Sequence, residues 1–294
     1  MNGILVYNKP TGAQSQSAIT LARKLFGIKK VGHCGTLDPL ASGVLPLMIG
    51  SATKACNLLM DHEKTYVTCV KLGITTDTED VTGNILTEYN GSLPSFEAFK
   101  EAAESFKGEI TQIPPMYSAL KKDGKKLVDL ARKGIEIERQ PRNVIIHEIN
   151  AYEKDGNYML SVRCSRGTYI RTLCADIGKK LGCGACMETL CRTSVGAFTI
   201  EKSYTPDQLK ALSKAELEQT LIPLNDVFAD LPVYGFRSDS DWKRYVNGER
   251  VPDGLSPAGR YRVLCPGEPN KLHSLAEIRA VEGGNKLCSF IRFE

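Results

Sequence analysis

Two strand-like segments joined by a tight polar turn constrain the fold of this chain more than any other feature. Val144–Tyr152 and Tyr158–Cys164 both read as strands, and Lys154-Asp155-Gly156-Asn157 lies between them. An Asp-Gly pair is typical of a short hairpin turn, because both residues accept the backbone conformation that the turn requires. The two strands of a hairpin run antiparallel. The sequence therefore predicts a sheet that is mainly antiparallel.

Apolar residues at helical spacing accompany these strands. The spacing predicts helices in three places, each closed by a glycine: Ser15–Gly27, the segment from Phe96 to Gly108, and the segment from Ile170 to Gly182. A further helix is predicted to begin at Thr205-Pro206, since proline is favoured directly after a cap residue. Ile4–Tyr7 and Tyr66–Leu72 read as additional strands. Together these elements predict a mixed α+β fold.

Val31–Gly50 differs in composition from these elements, because it holds four glycines and two prolines among small apolar residues. Glycine and proline interrupt regular structure. This stretch therefore predicts an ordered loop rather than a helix or a strand.

The composition changes again near Leu231. Short strand-like runs follow (Tyr261–Leu264, Ala276–Ala280 and Leu287–Phe293), separated by Gly, Pro and Asn. We therefore expect one domain over residues 1–230 and a small β-rich domain over residues 231–294.

Charge is unevenly distributed, although the formal net charge is only +4. Residues 1–37 contain five Lys or Arg and no acid, residues 121–142 contain eight basic and four acidic side chains, and residues 163–192 contain six and two. Such local excesses suit a phosphate backbone, but they also suit ordinary solvated faces. No apolar run reaches the roughly 18 residues of a membrane span, and no secretion signal is evident. We expect a cytoplasmic protein without a membrane partner.

Ten cysteines are scattered through the chain. In a protein without a secretory context, free buried thiols are expected more than disulfides. Cys183-Gly-Ala-Cys186 with Cys191 is reminiscent of a metal knuckle, but a structural zinc site usually needs a second pair of ligands. The sequence contains no second CxxC and no HxxxH. We expect no metal site.

One carboxylate stands alone in the glycine-rich stretch. Asp38 is the first acid in the chain, and it lies in Gly32-His33-Cys34-Gly35-Thr36-Leu37-Asp38-Pro39-Leu40-Ala41-Ser42-Gly43-Val44-Leu45-Pro46. Glycines let a backbone approach a ligand closely, and Pro39 restricts Asp38 to extended geometry. An isolated carboxylate in apolar surroundings is costly unless a cleft or a partner stabilises it. The alternative is a turn aspartate that bonds to its own backbone.

The complete pattern resembles the signature loop of the TruB pseudouridine synthases. Other stretches of the chain resemble motifs of that family and occur in the family's order: Asn8–Gly12, Lys64–Tyr66, Gly73–Thr78, Gln112–Lys121 and Arg163–Arg171. The resemblance covers residues 1 to about 200. It implies a pseudouridine synthase catalytic domain, with a PUA-like RNA-binding domain, less clearly marked, at the C-terminus. It further implies an enzyme that isomerises a uridine in the T-loop of tRNA and needs no cofactor. Nothing in the sequence demands more than a monomer.

The resemblance also implies roles for individual residues. Asp38 matches the catalytic aspartate, Tyr66 the aromatic residue that stacks on the flipped uracil and can serve as a base at C5, and Arg171 the arginine that pairs with the aspartate. A guanidinium favours the charged form of a neighbouring carboxyl group, and its two-pronged contact would fix the direction of Asp38. We place Arg171 in the first turn of a helix. A cation gains nothing from the helix dipole there, so an acidic partner is expected.

Other matches concern RNA contacts. His33 matches a residue that touches the displaced RNA, Tyr169 and Leu190 match the walls of the uridine pocket, and Lys9 matches a support of the active-site loop. In the C-terminal domain, four arginines are candidates for contact with the acceptor stem: Arg244, Arg250, Arg260 and Arg262. Taken singly, each of these residues also suits an ordinary structural position.

The chain departs from the family pattern at a few positions. Ala13-Gln14-Ser15 stands where the family usually has Thr-Ser, and cysteines stand at 34, 186 and 191 in place of small or apolar residues. Two other functions stay open: an RNA-binding or RNA-folding protein without catalysis, and a relative that modifies other RNA under the direction of a guide.

Overall fold

The computed structural model describes residues 1–118, 120–122, 124–281 and 284–293. Ala119, in one of the family-like motifs, therefore lies outside the described residues. The α-helices are α1 Ser15–Phe26, α2 Cys56–Met60, α3 Phe96–Glu104, α4 Leu127–Ala131, α5 Ile170–Lys180, α6 Pro206–Ala211, α7 Lys214–Gln219, α8 Leu224–Val227 and α9 Asp239–Val246. Short 3₁₀ helices cover Gly50–Ala55 and Ile200–Lys202.

The strands alternate with these helices along the chain. The strands up to the central hairpin are β1 Gly3–Lys9, β2 Val31–His33, β3 Ser42–Ile49, β4 Lys64–Leu72, β5 Ile74–Thr76, β6 Ile85–Glu88, β7 Gly108–Gln112, β8 Lys121–Lys122, β9 Lys125–Lys126, β10 Arg142–Lys154 and β11 Asn157–Cys164. The later strands are β12 Ala185–Val195, β13 Phe198–Thr199, β14 Leu221–Ile222, β15 Val251–Pro252, β16 Gly259–Cys265, β17 Glu268–Val281 and β18 Gly284–Arg292.

The predicted hairpin lies inside the main sheet. In the described part of the chain this sheet has the order β14-β1-β3-β12-β4-β11-β10-β7, with β2 beside β3 and β13 beside β12. β10 and β11 pair antiparallel, and the turn between them carries Asp155 and Gly156 at positive φ. Among the described strands of this sheet, only β12 and β3 pair in parallel. The predicted α+β class, with a mainly antiparallel sheet, is confirmed.

Both faces of the main sheet are covered. Along β1, Leu5 and Tyr7 pack into a core with α1, α3 and α5, whereas Ile4 and Val6 point into a second core on the opposite face. Successive side chains of a strand point to opposite faces. A strand buried on both faces therefore reads as one continuous apolar run, as Ile4–Tyr7 does.

A second sheet, with the order β15-β18-β17-β16, lies near the C-terminus. It has its own aromatic core, which includes Tyr234, Tyr245 and Tyr261. It also contributes Leu272, Leu275 and Phe293 to the second core of the main sheet. The small β-rich unit is present, and the boundary at residue 230 stays a prediction.

The expectation of a loop over Val31–Gly50 is wrong for most of its length. β2 and β3 occupy its two ends, so that only residues 34–41 connect them. β3 pairs with β1 over seven consecutive residues and lies between β1 and β12. Pairing on both edges and burial on both faces stabilise a strand in spite of its Gly and Pro content. The remaining loop carries Asp38 at an edge of the central strands.

Candidate active site

A cavity of about 640 Å³ opens beside the loop that carries Asp38. Its walls come from that loop, from β4 and β12, and from the segment that leads into α5. Among the residues that the structure describes, five basic side chains and a single acid line it: Lys64, Arg142, Arg166, Arg171, Arg192 and Asp38. Tyr66, Tyr169 and Leu190 also form part of its wall. The arrangement suits a polyanion that brings a flat, partly apolar group to a carboxylate.

Asp38 and Arg171 are paired as the sequence predicts. Arg171 Nη2 lies 3.0 Å from Asp38 Oδ2, and their side chains are 4% and 41% exposed respectively. The arginine is therefore buried while the carboxylate faces the cavity. The predicted two-pronged contact is wrong, because the other donors of Arg171 are engaged elsewhere. Nη1 donates to the Thr78 carbonyl and Nη2 also donates to the Tyr117 carbonyl, each at 2.7 Å.

A second carboxylate faces Arg171. Asp80 is buried, and its Oδ2 lies 3.9 Å from Arg171 Nε. Its Oδ1 accepts hydrogen bonds from Thr78 Oγ1 and from the Thr82 backbone N–H, both at 2.9 Å. Hydrogen bonds of this kind hold a buried carboxylate in place. Sequence reasoning did not single out Asp80, although it lies two residues after the Gly73–Thr78 motif.

Tyr66 lies on β4 with its side chain buried against the cavity. Burial raises the pKa of the phenol above its ordinary value, and the charge of Arg192 opposes that rise. At neutral pH the phenol is therefore uncharged. Leu190, on the adjacent strand β12, pairs in register with Thr68, two residues beyond Tyr66. These two side chains supply the aromatic and apolar parts of the wall.

Tyr169 is held by its backbone. Gln112, buried on β7, accepts from the Tyr169 N–H at 3.0 Å and donates to its carbonyl at 3.2 Å. The guanidinium carbon of Arg142 lies 5.9 Å from the centre of the Tyr169 ring. The double contact leaves the tyrosine ring at the cavity wall. Gln112 begins one of the family-like motifs, but its clamp could not be read from the sequence.

Lys9 braces the Asp38 loop from behind and does not line the cavity. Its ammonium donates to the carbonyls of Pro10, Ala13 and Pro39. Burial lowers the pKa of Lys9 to about 8, although the charge of Asp38 acts in the opposite direction. A cation between the first turn of the chain and the residue after Asp38 ties the two segments together.

Ser15 also holds the Asp38 loop, from the first residue of α1. Its buried hydroxyl donates to the Leu37 carbonyl at 2.9 Å and accepts from the Leu37 N–H at 3.0 Å. Both backbone polar groups of the residue before Asp38 are thereby satisfied. The sequence indicated Ser15 only as the start of a helix.

His33 lies outside the cavity wall, at the end of β2. Its Nδ1 is buried and makes no hydrogen bond within the described part of the protein. Burial lowers the pKa of His33, and the nearby charge of Arg192 lowers it further. The structure therefore does not bring His33 together with Asp38, Tyr66 and Arg171.

The cysteines take no part in this site. All ten are free thiols, and Cys183 and Cys186 are buried. Among residues 1–118, 120–122, 124–281 and 284–293, no group of three or more His, Cys, Asp or Glu side chains is placed to hold a metal ion. No helix in this part of the chain is long and apolar enough to cross a membrane.

The C-terminal arginines differ in their surroundings. Arg244, Arg250 and Arg260 are exposed. Arg262 is half-buried and donates to the carbonyls of Leu231 and Asn225. This arginine braces the segment that leads into the second sheet.

Two family models match adjoining segments of the chain, which together span residues 23–229. The model described as "TruB family pseudouridylate synthase (N terminal domain)" matches residues 23–170. The model described as "tRNA pseudouridylate synthase B C-terminal domain" matches residues 171–229. The first model includes Asp38 and Tyr66, and the second begins at Arg171.

Curated relatives and solved structures agree with these matches. The chain is 48% identical to tRNA pseudouridine synthase B of Azoarcus sp. (strain BH72) over 91% of its length and 89% of the relative's. It is 43% identical to the protein of the same name from Dechloromonas aromatica (strain RCB), with the same coverage. The fold is similar to a chain of "Crystal Structure of a Cbf5-Nop10-Gar1 Complex", with TM-score 0.71, 24% identity, and coverage of 99% of this chain and 85% of that chain.

The identities to the named relatives extend through both matched segments, and the paired carboxylate and guanidinium lie in one cavity formed by those segments. The chain belongs to the TruB family of pseudouridine synthases.

Proposed function

We propose that this protein converts a uridine in the T-loop of tRNA to pseudouridine, with Asp38 as the essential carboxylate. The observation that carries the proposal is the Asp38–Arg171 pair, whose carboxylate faces a cavity lined by Tyr66 and Leu190. The relatives named tRNA pseudouridine synthase B support tRNA as the substrate. The choice of the T-loop rests on the resemblance to the family.

The reaction is an isomerisation in which the atoms balance without a second substrate. The C1′–N1 glycosidic bond breaks, uracil turns, and a C1′–C5 bond forms. The proton on C5 is lost to a base, and N1 ends with a proton. Asp38 acts first, either by attack on C1′ or by removal of a sugar proton. In both routes the carboxylate must be aimed at the ribose, and the contact with the Arg171 guanidinium holds it in place.

Tyr66 acts chiefly as a stacking platform. Burial raises the pKa of its phenol, so the ring is neutral and presents a flat face to the uracil. Stacking of a base on an aromatic ring contributes about 1–3 kcal/mol. Such contacts offset the cost of roughly a few kcal/mol for turning a uridine out of its stack. Leu190 and Tyr169 would enclose the base from other sides.

The basic cavity wall would hold the RNA backbone. Arg142 combines partial exposure with a buried Nε that has no hydrogen-bond partner within the described residues. Arg166 is largely exposed and is paired with Asp61. A phosphate placed here would receive charge-assisted hydrogen bonds. His33 would contact displaced nucleotides outside the cavity, and Lys9 would act through the loop.

The decisive test is Asp38→Asn. This change keeps the size of the side chain and removes its charge, so we expect unchanged folding and tRNA affinity with no pseudouridine formed. Binding is measured by filter retention of T-loop RNA, and product by mass spectrometry after nuclease digestion. Asp207→Asn, which alters an exposed acid outside the cavity wall, is the control. Turnover by Asp38→Asn at the rate of the unmodified protein would overturn the proposed chemistry.

The same assay separates the alternatives. The purified chain is incubated alone with a T-loop minihelix, and product is expected. Tight binding without product from the unmodified protein would favour an RNA-binding protein. No product from the minihelix, followed by product when a guide RNA and partner proteins are added, would favour a guided enzyme.

The C-terminal unit completes the proposal. Arg244, Arg250 and Arg260 are exposed on or next to the second sheet, and we assign them to the acceptor stem of tRNA. The monomeric state and the cytoplasmic location remain predictions from the sequence.

A further inference from the structure

Arg192 is the largest charged side chain that the fold buries almost completely. It lies on β12 and is 1% exposed. Among the residues that the structure describes, its guanidinium donates to backbone carbonyls rather than to a carboxylate. A buried charge without a counter-ion is costly unless hydrogen bonds compensate it. The contacts of its guanidinium therefore indicate the role of this buried charge.

Two of those contacts grip the Asp38 loop on either side. Arg192 Nη2 donates to the Gly35 carbonyl at 2.9 Å, and Nε donates to the Val44 carbonyl at 2.7 Å. Gly35 lies three residues before Asp38, and Val44 lies six residues after it. One planar guanidinium thus fixes both ends of the segment that carries the carboxylate.

The third relation concerns the aromatic residue. Arg192 and Tyr66 pair in register across β12 and β4. Burial raises the pKa of the phenol, and the charge of Arg192 acts to lower it. Both side chains line the same cavity. Arg192 therefore holds the loop that aims Asp38 and lies beside the ring that faces the base.

Close packing leaves no freedom at this junction. Arg192 pairs in parallel with Gly43, and a Cβ at Gly43 would lie 2.2 Å from the Arg192 carbonyl oxygen. Gly43 also has φ +100°, which favours glycine. The backbone of β3 consequently runs directly against β12 at Arg192. A shift of this arginine would move β3 and the loop together.

We propose that Arg192 is a positioning residue that fixes the distance between Asp38 and Tyr66, because its guanidinium holds both ends of the Asp38 loop while its backbone pairs in register with Tyr66. The inference rests on the proposed isomerisation. Its side chain is buried, so it acts through these two residues rather than by contact with RNA. A displacement of about 1 Å at a reacting group costs roughly 100-fold in rate.

The test is Arg192→Lys, which keeps the positive charge and loses the planar fork. We expect the single-turnover rate of pseudouridine formation to fall roughly 100-fold, while the affinity for T-loop RNA changes by less than about threefold, which identifies a loss confined to the reaction step. Arg163→Lys, at an exposed arginine outside the cavity wall, is the matched control.

A double-substitution cycle tests whether Arg192 acts together with Tyr66. If Arg192 acts partly through the phenol, Arg192→Lys costs less in a Tyr66→Phe background than in the unmodified protein, since residues in contact are not additive. Additive effects of the two substitutions would overturn the claim that Arg192 acts through Tyr66.

The remaining outcomes are also decisive. A single-turnover rate of Arg192→Lys within about threefold of that of the unmodified protein overturns the inference. A loss of rate that is explained by weaker RNA binding alone also overturns it, because such a loss does not arise in the reaction step. Circular dichroism checks folding, with Arg192→Met as a second variant; failure of both to fold would make Arg192 a folding residue and overturn the inference as well. If the unmodified protein itself forms no pseudouridine, the proposed function fails instead.

Discussion

Arg171 occupies a position that local physics does not favour. It is buried in the first turn of α5, where the helix dipole repels a cation. Its stability there comes from Asp38, Asp80 and two backbone carbonyls. Most donors of the Arg171 guanidinium face the two backbone carbonyls and Asp80, and one contact is made with Asp38. At the scale of single residues, the site is thus a carboxylate steered by an arginine that is itself fixed.

Arg171→Lys is expected to lower the rate of pseudouridine formation by roughly 100-fold, because a single ammonium cannot replace contacts in several directions. The loss should appear in kcat rather than in the affinity for RNA. Single-turnover kinetics with labelled tRNA measure it. A near-normal kcat, at a protein concentration verified by active-site titration, would remove Arg171 from its proposed role.

The element that anchors the catalytic loop begins without a side-chain cap. Gln14 is the N-cap of α1 and makes no capping hydrogen bond, whereas Thr205 and Ser213 cap α6 and α7 with complete capping boxes. The departure from the family pattern noted at Ala13-Gln14-Ser15 therefore has a structural consequence. The helix start that carries Ser15, and through it Leu37, lacks one stabilising contact.

Gln14→Ser should restore that contact. Gln14 is exposed and has extended backbone geometry, so a serine hydroxyl can accept from the first free N–H groups of the helix. We expect the free energy of unfolding to rise by about 1 kcal/mol, which corresponds to an increase of roughly 2 °C in Tm for a protein of this size. Thermal unfolding measures the change. Gln14→Ala is the control, and an equal rise with alanine would contradict the capping explanation.

At the scale of the whole molecule, charge is concentrated where the site needs it. The net charge is small, yet the described residues that line the cavity include five basic side chains and one acid. Release of counterions from RNA makes such binding strongly dependent on salt. The basic wall therefore matters more for RNA affinity than the overall charge of the protein.

Arg142→Ala tests this view. We expect weaker binding to all RNA sequences and a reduction of about one in the slope of log affinity against log salt concentration. Fluorescence anisotropy with a T-loop minihelix at several salt concentrations measures the slope. Lys100→Ala, on the exposed face of α3 and outside the cavity wall, should leave it unchanged. An unaltered slope for Arg142→Ala would exclude this side chain from phosphate contact.

The sequence by itself determined the features that depend on neighbours in the chain. The hairpin, the helices α1, α3 and α5 and the isolated Asp38 arise from local preferences, and the order of the motifs identified the family. The predicted end of α3 at Gly108 is wrong, because α3 ends at Glu104 and Gly108 begins β7. Only the tertiary structure decided how the site is held. Val31–Gly50 became strands through pairing with β1 and β12, and the grip of Arg192 on Gly35 spans 157 residues. The cost of burying that guanidinium is offset by hydrogen bonds to carbonyls that are distant in the sequence. No local sequence pattern could therefore predict the position of Arg192.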